Sequence, residues 1–362
     1  MEHIGLVGLP NSGKTSLFNA LTGRSAPVAS HPFTTTETST GIAVLPDLRL
    51  DALAEMSKSR KVVRAGFEVV DIAGLVAGSS TGEGLGNRFL GGIREVDALL
   101  LVVRAFEDPE VPGDPDPLAS LQTLELELVL ADLASVESQI DRKRKAARSD
   151  RSLLSEVGAM EAAQKVLEQG IPLYRSTDRS TDTEEQRLLR RGQFFLTDKP
   201  VLAVVNIGED QLDRADALIK PVADELAGHG EVLAACVQLE AEAAQLSDEE
   251  RTEMSEGLGL GEGALARIAR SAYHLLGLRT FLTTGDKESR AWSFRAGATA
   301  PECAGVIHSD LQRGFIRAEV IHWDELIELG SWAAAKAVGR IRVEGSQYVV
   351  EDGDVLEIRF NV

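Results

Sequence analysis

A chain of 362 residues with 43% hydrophobic residues is long enough for two or three domains, each with its own core. Its formal net charge of −19 excludes a protein held on nucleic acid by overall charge, so any RNA contact must come from a local basic cluster. Two distant cysteines, Cys236 and Cys303, exclude a disulfide framework or a CxxC zinc site, and the longest apolar run, near Ala98–Val103, is too short to span a membrane. A cytoplasmic protein without membrane attachment is expected.

The chain opens on an apolar run, Ile4-Gly5-Leu6-Val7, followed by Gly8-Leu9-Pro10-Asn11-Ser12-Gly13-Lys14-Thr15 and a helix-like stretch from Ser16 to Leu21. Strand, G-x-x-x-x-G-K-T loop and helix in that order predict a phosphate-binding loop. Its glycines let the backbone curl so that N–H groups point at phosphate oxygens, and the helix N-terminus adds a positive dipole end. Lys14 is placed to reach the β- and γ-phosphates, and the Thr15 hydroxyl to hold Mg²⁺.

Residues 30–36 read as a polar loop, Leu48–Met56 as a helix, and Gly41–Leu45 and Val62–Val70 as strands. Val69-Val70 runs into Asp71-Ile72-Ala73-Gly74, where a strand-end Asp71 orders Mg²⁺ through water. Thr35, in the polar loop, is the candidate to close on the metal, although Thr34 and Thr36 beside it leave the choice open on local grounds. Ala98–Val103 and Val201–Val205 read as buried parallel strands, so a doubly wound α/β domain is expected. Between them, from about Leu118 to Leu196, apolar residues recur at helical spacing over Leu121–Ile140, Leu153–Leu167 and Glu184–Phe195, predicting a helical insertion built as an antiparallel hairpin entered at Asp114-Pro115-Asp116-Pro117. After Leu278, strands over Thr280–Thr284, Ala291–Arg295, Phe315–Ile321 and Val355–Phe360, with helices over Pro301–Arg313 and Trp332–Val338, predict a small α+β domain.

The strand ending at Val205 is followed by Asn206-Ile207-Gly208-Glu209. A guanine site of the N-K-x-D type has Lys and Asp where this chain has Ile207 and Glu209, so the change argues for ATP or for relaxed base specificity. In many switch GTPases a Gln after D-x-x-G orients the attacking water; here that position is Leu75, and slow hydrolysis is expected. Asn11 offers a place for K⁺ beside the β- and γ-phosphates, or is a plain turn residue after Pro10.

Together these residues resemble the YchF-type Obg-like ATPase family of translation-factor-related P-loop proteins. The resemblance spans essentially the whole chain. It is carried by Asp71–Val76 through Gly82–Asn87 to Ile93–Ala98, by Arg290-Ala291-Trp292 through Gly297–Pro301 to Gly314–Glu319, and by Asp352–Val355 and Phe360-Asn361-Val362. It implies a G domain over residues 1–117 and 197–278, an inserted coiled-coil-like helical domain over 118–196 and a β-grasp TGS domain over 279–362. It implies a slow ATPase acting on the β–γ phosphoanhydride, with catalytic roles for Lys14, Thr35, Asp71 and Gly74. ATP contacts would run over Asn11, Ser12, Gly13, Lys14, Thr15 and Ser16, with the base read by Asn206, Ile207 and Glu209. Mg²⁺ would sit on Thr15 and Thr35, with Asp71 acting through water. Ribosome association and a switching role in translation or stress response are implied as well. Two departures bear on this. Thr34 stands where many bacterial members have Cys, and Glu107–Pro117 contains no His, so neither a redox role at the one nor a histidine role in the other carries over.

Arg142-Lys143-Arg144-Lys145, with Arg148 and Arg151, forms a basic cluster at the expected hairpin tip, read either as a contact for ribosomal RNA phosphates or as a solvated helix end. Lys287, Arg290, Arg295 and Arg317 offer a weaker RNA-facing surface in the last domain. His31, His308 and His322 read as turn, cap or surface residues. A monomer off the ribosome is expected. The competing readings are an Obg-type GTPase and a nucleotide-sensing module whose hydrolysis is incidental.

Overall fold

Apolar runs with strand length and periodic helices alternate along the first two thirds of the chain, and the structure turns that alternation into a wound sheet. The computed structural model describes residues 2–23, 39–72, 85–109, 111, 113, 115–176, 194–243, 246, 250 and 262–361. The strands are β1 (His3–Val7), β2 (Ser39–Val44), β3 (Val62–Val63), β4 (Gly66–Asp71), β5 (Ala98–Arg104), β6 (Val201–Asn206), β7 (Gly230–Ala235), β8 (Leu278–Thr283), β9 (Ser289–Arg295), β10 (Phe315–His322), β11 (Arg342–Glu344) and β12 (Asp354–Phe360). The helices of the first two thirds are α1 (Lys14–Thr22), α2 (Leu48–Met56), α3 (Leu85–Glu95), α4 (Pro117–Ala147), α5 (Leu154–Leu167), α6 (Leu173–Ser176), α7 (Ala215–Leu226), α8 (Val237–Ala243) and α9 (Ala264–Leu275). Those of the last third are α10 (Ala300–Ile307), α11 (Ser309–Arg313), α12 (Trp323–Leu329) and α13 (Trp332–Ala337).

The chain divides into two compact units, residues 1–42 with 68–272, and 43–67 with 273–362. In the first, a six-stranded sheet runs in the order β2-β4-β1-β5-β6-β7, with β4, β1, β5, β6 and β7 mutually parallel. Its central strands are buried on both faces: every residue of β6, and every residue of β5 but Arg104, is buried. In a parallel sheet of this kind the carboxyl ends of the strands converge on one edge, where ligands bind.

The helical insertion is a hairpin. Asp116 caps α4, its carboxylate accepting from Ala119 N at 2.9 Å, and Pro117 starts the helix, where its missing N–H costs nothing. At 31 residues α4 is about 46 Å long. Its first half lays Leu121, Leu124 and Leu128 onto the sheet core, and its second half buries Val129, Val136 and Ile140 against Met160, Ala163 and Leu167 of α5. Of the third periodic stretch, residues 184–193 lie outside the described residues. Phe195 packs into the hairpin core, and Asp132 on α4 accepts from Leu196 N, Thr197 N and Thr197 Oγ1 at 2.7–3.0 Å, fixing the return into β6.

The second unit is a sheet in the order β11-β10-β12-β8-β9-β3, with α10 on one face and α2, α12 and α13 on the other. The sequence expectation keeps residues 1–117 in the first domain; instead Ala43–Phe67 folds into the second unit. The reason is packing: Leu50, Leu53 and Ala65 share a core with Leu282, Ala291, Ile321 and Val355. The single expected helix over Pro301–Arg313 is two, broken at the extended His308 (φ −163°), whose Nδ1 accepts from Asp310 N at 3.1 Å.

Candidate phosphate-binding site

The loop between β1 and α1 lies at the carboxyl end of a central strand, flanked by β4 and β5. Two backbone positions shape it. Asn11 takes φ 60° and Gly13 φ 91°, the left-handed region, and Gly13 is the residue from which α1 starts. A Cβ on Gly13 would stand 2.1 Å from Asn206 Nδ2, so the position requires glycine for space as well as for its torsion. A Cβ on Gly8 would meet Ser12 Oγ and the Val102 carbonyl, both at 2.6 Å, so this glycine lets the loop lie flat on β5. Leu17 and Phe18 anchor α1 in the core and hold Lys14, Thr15 and Ser16 at its amino end.

The register Leu6↔Asp71 brings the end of β4 alongside the phosphate loop. Thr15 Oγ1 donates to Asp71 Oδ2 at 2.9 Å, joining residues 56 positions apart. Asp71 is 1% exposed and Lys14 7%. Burial pushes the Asp71 carboxyl above its usual range and the Lys14 ammonium below its own, and each charge offsets part of the shift in the other. Asp71 Oδ1 and Ser12 Oγ are buried with no hydrogen-bond partner among the described residues. A buried cation, an under-satisfied carboxylate and an unused hydroxyl around a loop of amides form a site that is electrostatically incomplete as it stands. This donor set fits a hard cation with a polyphosphate: the Thr15 hydroxyl and the Asp71 carboxylate for Mg²⁺, Lys14 for phosphate oxygens.

The third strand end is that of β6. Asn206, 4% exposed, donates from Nδ2 to the Ser12 carbonyl at 3.0 Å and accepts at Oδ1 from Val237 N at 3.3 Å. Its own carbonyl accepts from Ala105 N and Phe106 N at 2.8 and 3.1 Å. Asn206 is therefore a bridge between the phosphate loop, the end of β5 and the turn after β7, a role the sequence reading did not assign to it. Ile207 is 3% exposed and packs in the core, with its N–H on the Ala235 carbonyl at 3.0 Å. Glu209 is exposed and opens a short 3₁₀ turn held by Gln211, which accepts from Gly208 N at 2.9 Å and donates to the Ala105 carbonyl at 3.0 Å. Cys236 lies buried in the turn after β7, its thiol pushed up by burial. The structure thus brings Asn11, Ser12, Gly13, Lys14, Thr15, Ser16 and Asp71 together and ties Asn206 to them. Thr35, Gly74 and Leu75 lie outside the described residues.

A family model described as a 50S ribosome-binding GTPase matches residues 3–132, and one for a YchF GTPase C-terminal region, a protein of unknown function, matches residues 278–361. The chain is 44% identical over 366 residues to the ribosome-binding ATPase YchF of Bacillus subtilis, covering 99% of each. To the same-named protein of Escherichia coli O157:H7 it is 42% identical over 363 residues, again with 99% of each covered. This chain belongs to the YchF family. The solved structure of the Schizosaccharomyces pombe YchF GTPase superposes with a TM-score of 0.85 at 32% identity, covering 99% of this chain and 97% of that one. A GTP-binding protein from Pyrococcus horikoshii, at TM-score 0.60 and 19% identity, shares the fold. YchF relatives thus carry both ATPase and GTPase in their names.

At the hairpin tip, the basic cluster is partly neutralised from within. Lys143 pairs with Glu156, and Arg144 pairs with Glu161 at 2.9 Å and Asp141 at 3.5 Å. Arg142, Lys145, Arg148 and Arg151 are exposed without an ion-pair partner among the described residues. No helix among the described residues is long and apolar enough to cross a membrane.

Proposed function

We propose that this YchF-family chain is a cytoplasmic, ribosome-associated switch that binds ATP with Mg²⁺ and hydrolyses its β–γ bond slowly. The observation that carries the reading is the buried Lys14–Asp71–Thr15 cluster beneath the phosphate loop with Ser12 beside it; the unused Asp71 Oδ1 and Ser12 Oγ call for a cation and an anion together. Thr15 and Asp71 (through water) hold the metal, joined by Thr35; Lys14 and the amides of residues 11–16 hold the phosphates. Mg²⁺ supplies charge neutralisation on the phosphate oxygens. Gly74 takes the part of sensing the γ-phosphate. Ile207 and Glu209 replace the Lys and Asp of a guanine-reading corner and favour adenine, in keeping with the bacterial relatives' name. Asn11 is the site at which K⁺ acts if turnover depends on it. The unpaired half of the tip cluster, Arg142 and Lys145, with the paired Lys143 and Arg144 beside it in sequence, is the ribosome-facing end of the hairpin. Residues 279–362 form the TGS domain, and the protein is monomeric away from the ribosome.

The test is displacement of a fluorescent triphosphate by ATP and by GTP, with and without Mg²⁺, followed by turnover in KCl and NaCl, with and without ribosomes. ATP displacing at lower concentration than GTP, only with Mg²⁺ at full strength, supports the reading. Preference for GTP overturns the base assignment in favour of an Obg-type GTPase. Equal rates in the two salts remove K⁺, and no turnover under any condition favours a sensing module.

A further inference from the structure

The second unit carries a cationic edge that sequence order hides. β3 is the outermost strand of its sheet and pairs in parallel with β9, Val62↔Ser289 and Val63↔Arg290, so the turns leading into both strands lie side by side. Three hydrogen bonds lock them together: Arg60 N to the Asp286 carbonyl at 3.1 Å, Ser289 N to the Lys61 carbonyl at 2.9 Å, and Ser59 Oγ to the Gly285 carbonyl at 2.7 Å. This joins Lys58, Arg60 and Lys61 to Lys287 and Arg290, more than 220 residues later. The carboxylates that these two segments themselves bring are Glu55, Asp286 and Glu288. Glu288 is already shared by Lys61 at 3.0 Å and Arg290 at 2.9 Å. Lys58, Arg60 and Lys287 are exposed and have no ion-pair partner among the described residues. Arg290 lies over the Trp292 ring, 4.7 Å from its centroid, which presents the guanidinium on a rigid base.

We propose that this edge binds the phosphate backbone of RNA. The proposal deepens the ribosomal reading and rests on it for the choice of RNA among polyanions. The charge distribution supports it. The second unit holds fifteen Lys and Arg against sixteen Asp and Glu, so nearly all of the −19 belongs to the first unit. At a Debye length of about 8 Å at physiological salt, the charges nearest the edge weigh most in its potential. Lysines on an edge strand also prevent edge-to-edge pairing. That role needs cations on the strand itself, whereas Lys58, Arg60 and Lys287 project from the turns before β3 and β9.

The test compares the full chain with a variant carrying Lys58→Asn, Arg60→Ser and Lys287→Ser, which breaks no ion pair and leaves the nucleotide site untouched. The probe is a 30-nucleotide single-stranded RNA, titrated at several salt concentrations. The variant is expected to bind at least tenfold more weakly, and the slope of log affinity against log salt to fall by about 2, three phosphate contacts at ~0.7 each. A charge-preserving variant, Lys58→Arg, Arg60→Lys and Lys287→Arg, is expected to keep both. Unchanged affinity and slope in the first variant, or equal loss in the second, overturns the proposal. So does loss of ribosome co-sedimentation without loss of RNA binding, which would make the partner an acidic protein surface. Failure of the unaltered chain to co-sediment with ribosomes would refute the ribosomal reading, while the RNA titration would still decide this surface.

Discussion

Asn206 Nδ2 donates to the Ser12 carbonyl at 3.0 Å, a bond that spans 194 residues and fastens the phosphate loop to the end of β6. With Val237 N donating to its Oδ1, the Asn206 side chain is hydrogen-bonded at both its nitrogen and its oxygen before any nucleotide arrives. Asn206→Ala would leave both partners unpaired in a buried place, at about 1–3 kcal/mol each. Urea denaturation is expected to show that loss, and triphosphate affinity to fall with it. Unchanged stability with altered base preference would mean that Asn206 reads the base and does not brace the loop.

Gly13 faces the same side chain. Gly13→Ala would put a Cβ 2.1 Å from Asn206 Nδ2 and force alanine to φ 91°. About 1–3 kcal/mol of backbone strain adds to displacement of the bridge. A lowered melting temperature together with lost triphosphate binding is expected; a variant that melts like the parent and still binds would contradict the geometry.

Lys14 and Asp71 separate charge from shape. Lys14→Ala is expected to weaken triphosphate binding about 10- to 100-fold, the worth of a hydrogen bond to a charged group. Asp71→Asn keeps the Thr15 contact and is expected to erase mainly the gain in affinity that Mg²⁺ provides. Isothermal titration with and without Mg²⁺ distinguishes the two, and equal loss in both conditions for Asp71→Asn would argue against its place near the metal.

Cys303, 0% exposed, has its thiol pushed up to about 12 by burial and by the nearby Glu302 and Asp354 charges. An unfolded thiol ionises near 8.5. The unfolded chain therefore loses a proton first as pH rises, and the stability that Cys303 contributes is full below about 8.5 and drains away up to about 12. Cys303→Ala is expected to flatten the alkaline fall of the melting temperature over that window. Thiol reagents at pH 8 are expected to label Cys303 only after denaturation.

Much of this was legible from residue order. The phosphate loop, the apolar runs that became β5 and β6, and the hairpin entrance at Asp116-Pro117 are local patterns whose physics is complete within a dozen residues. What escaped is non-local or short. β7 went unread although Val232–Val237 is apolar, because a short apolar run reads equally as a strand or as part of a buried helix. α12, seven residues long, is too short to show a period. The bridging role of Asn206 depends on a contact 194 residues away, and the cationic edge exists only because β3 pairs with β9.

The membership of Ala43–Phe67 in the second unit has a consequence for biosynthesis. Leu50 and Leu53 leave the ribosome more than two hundred residues ahead of Leu282, Ile321 and Val355, the side chains that will cover them. This stretch must wait uncovered through most of the polypeptide's synthesis, and the last unit to be translated cannot close on itself without reaching back to some of the earliest residues made. A fragment beginning at Tyr273 would lack part of its own interior, so any dissection of the chain has to carry the early stretch along.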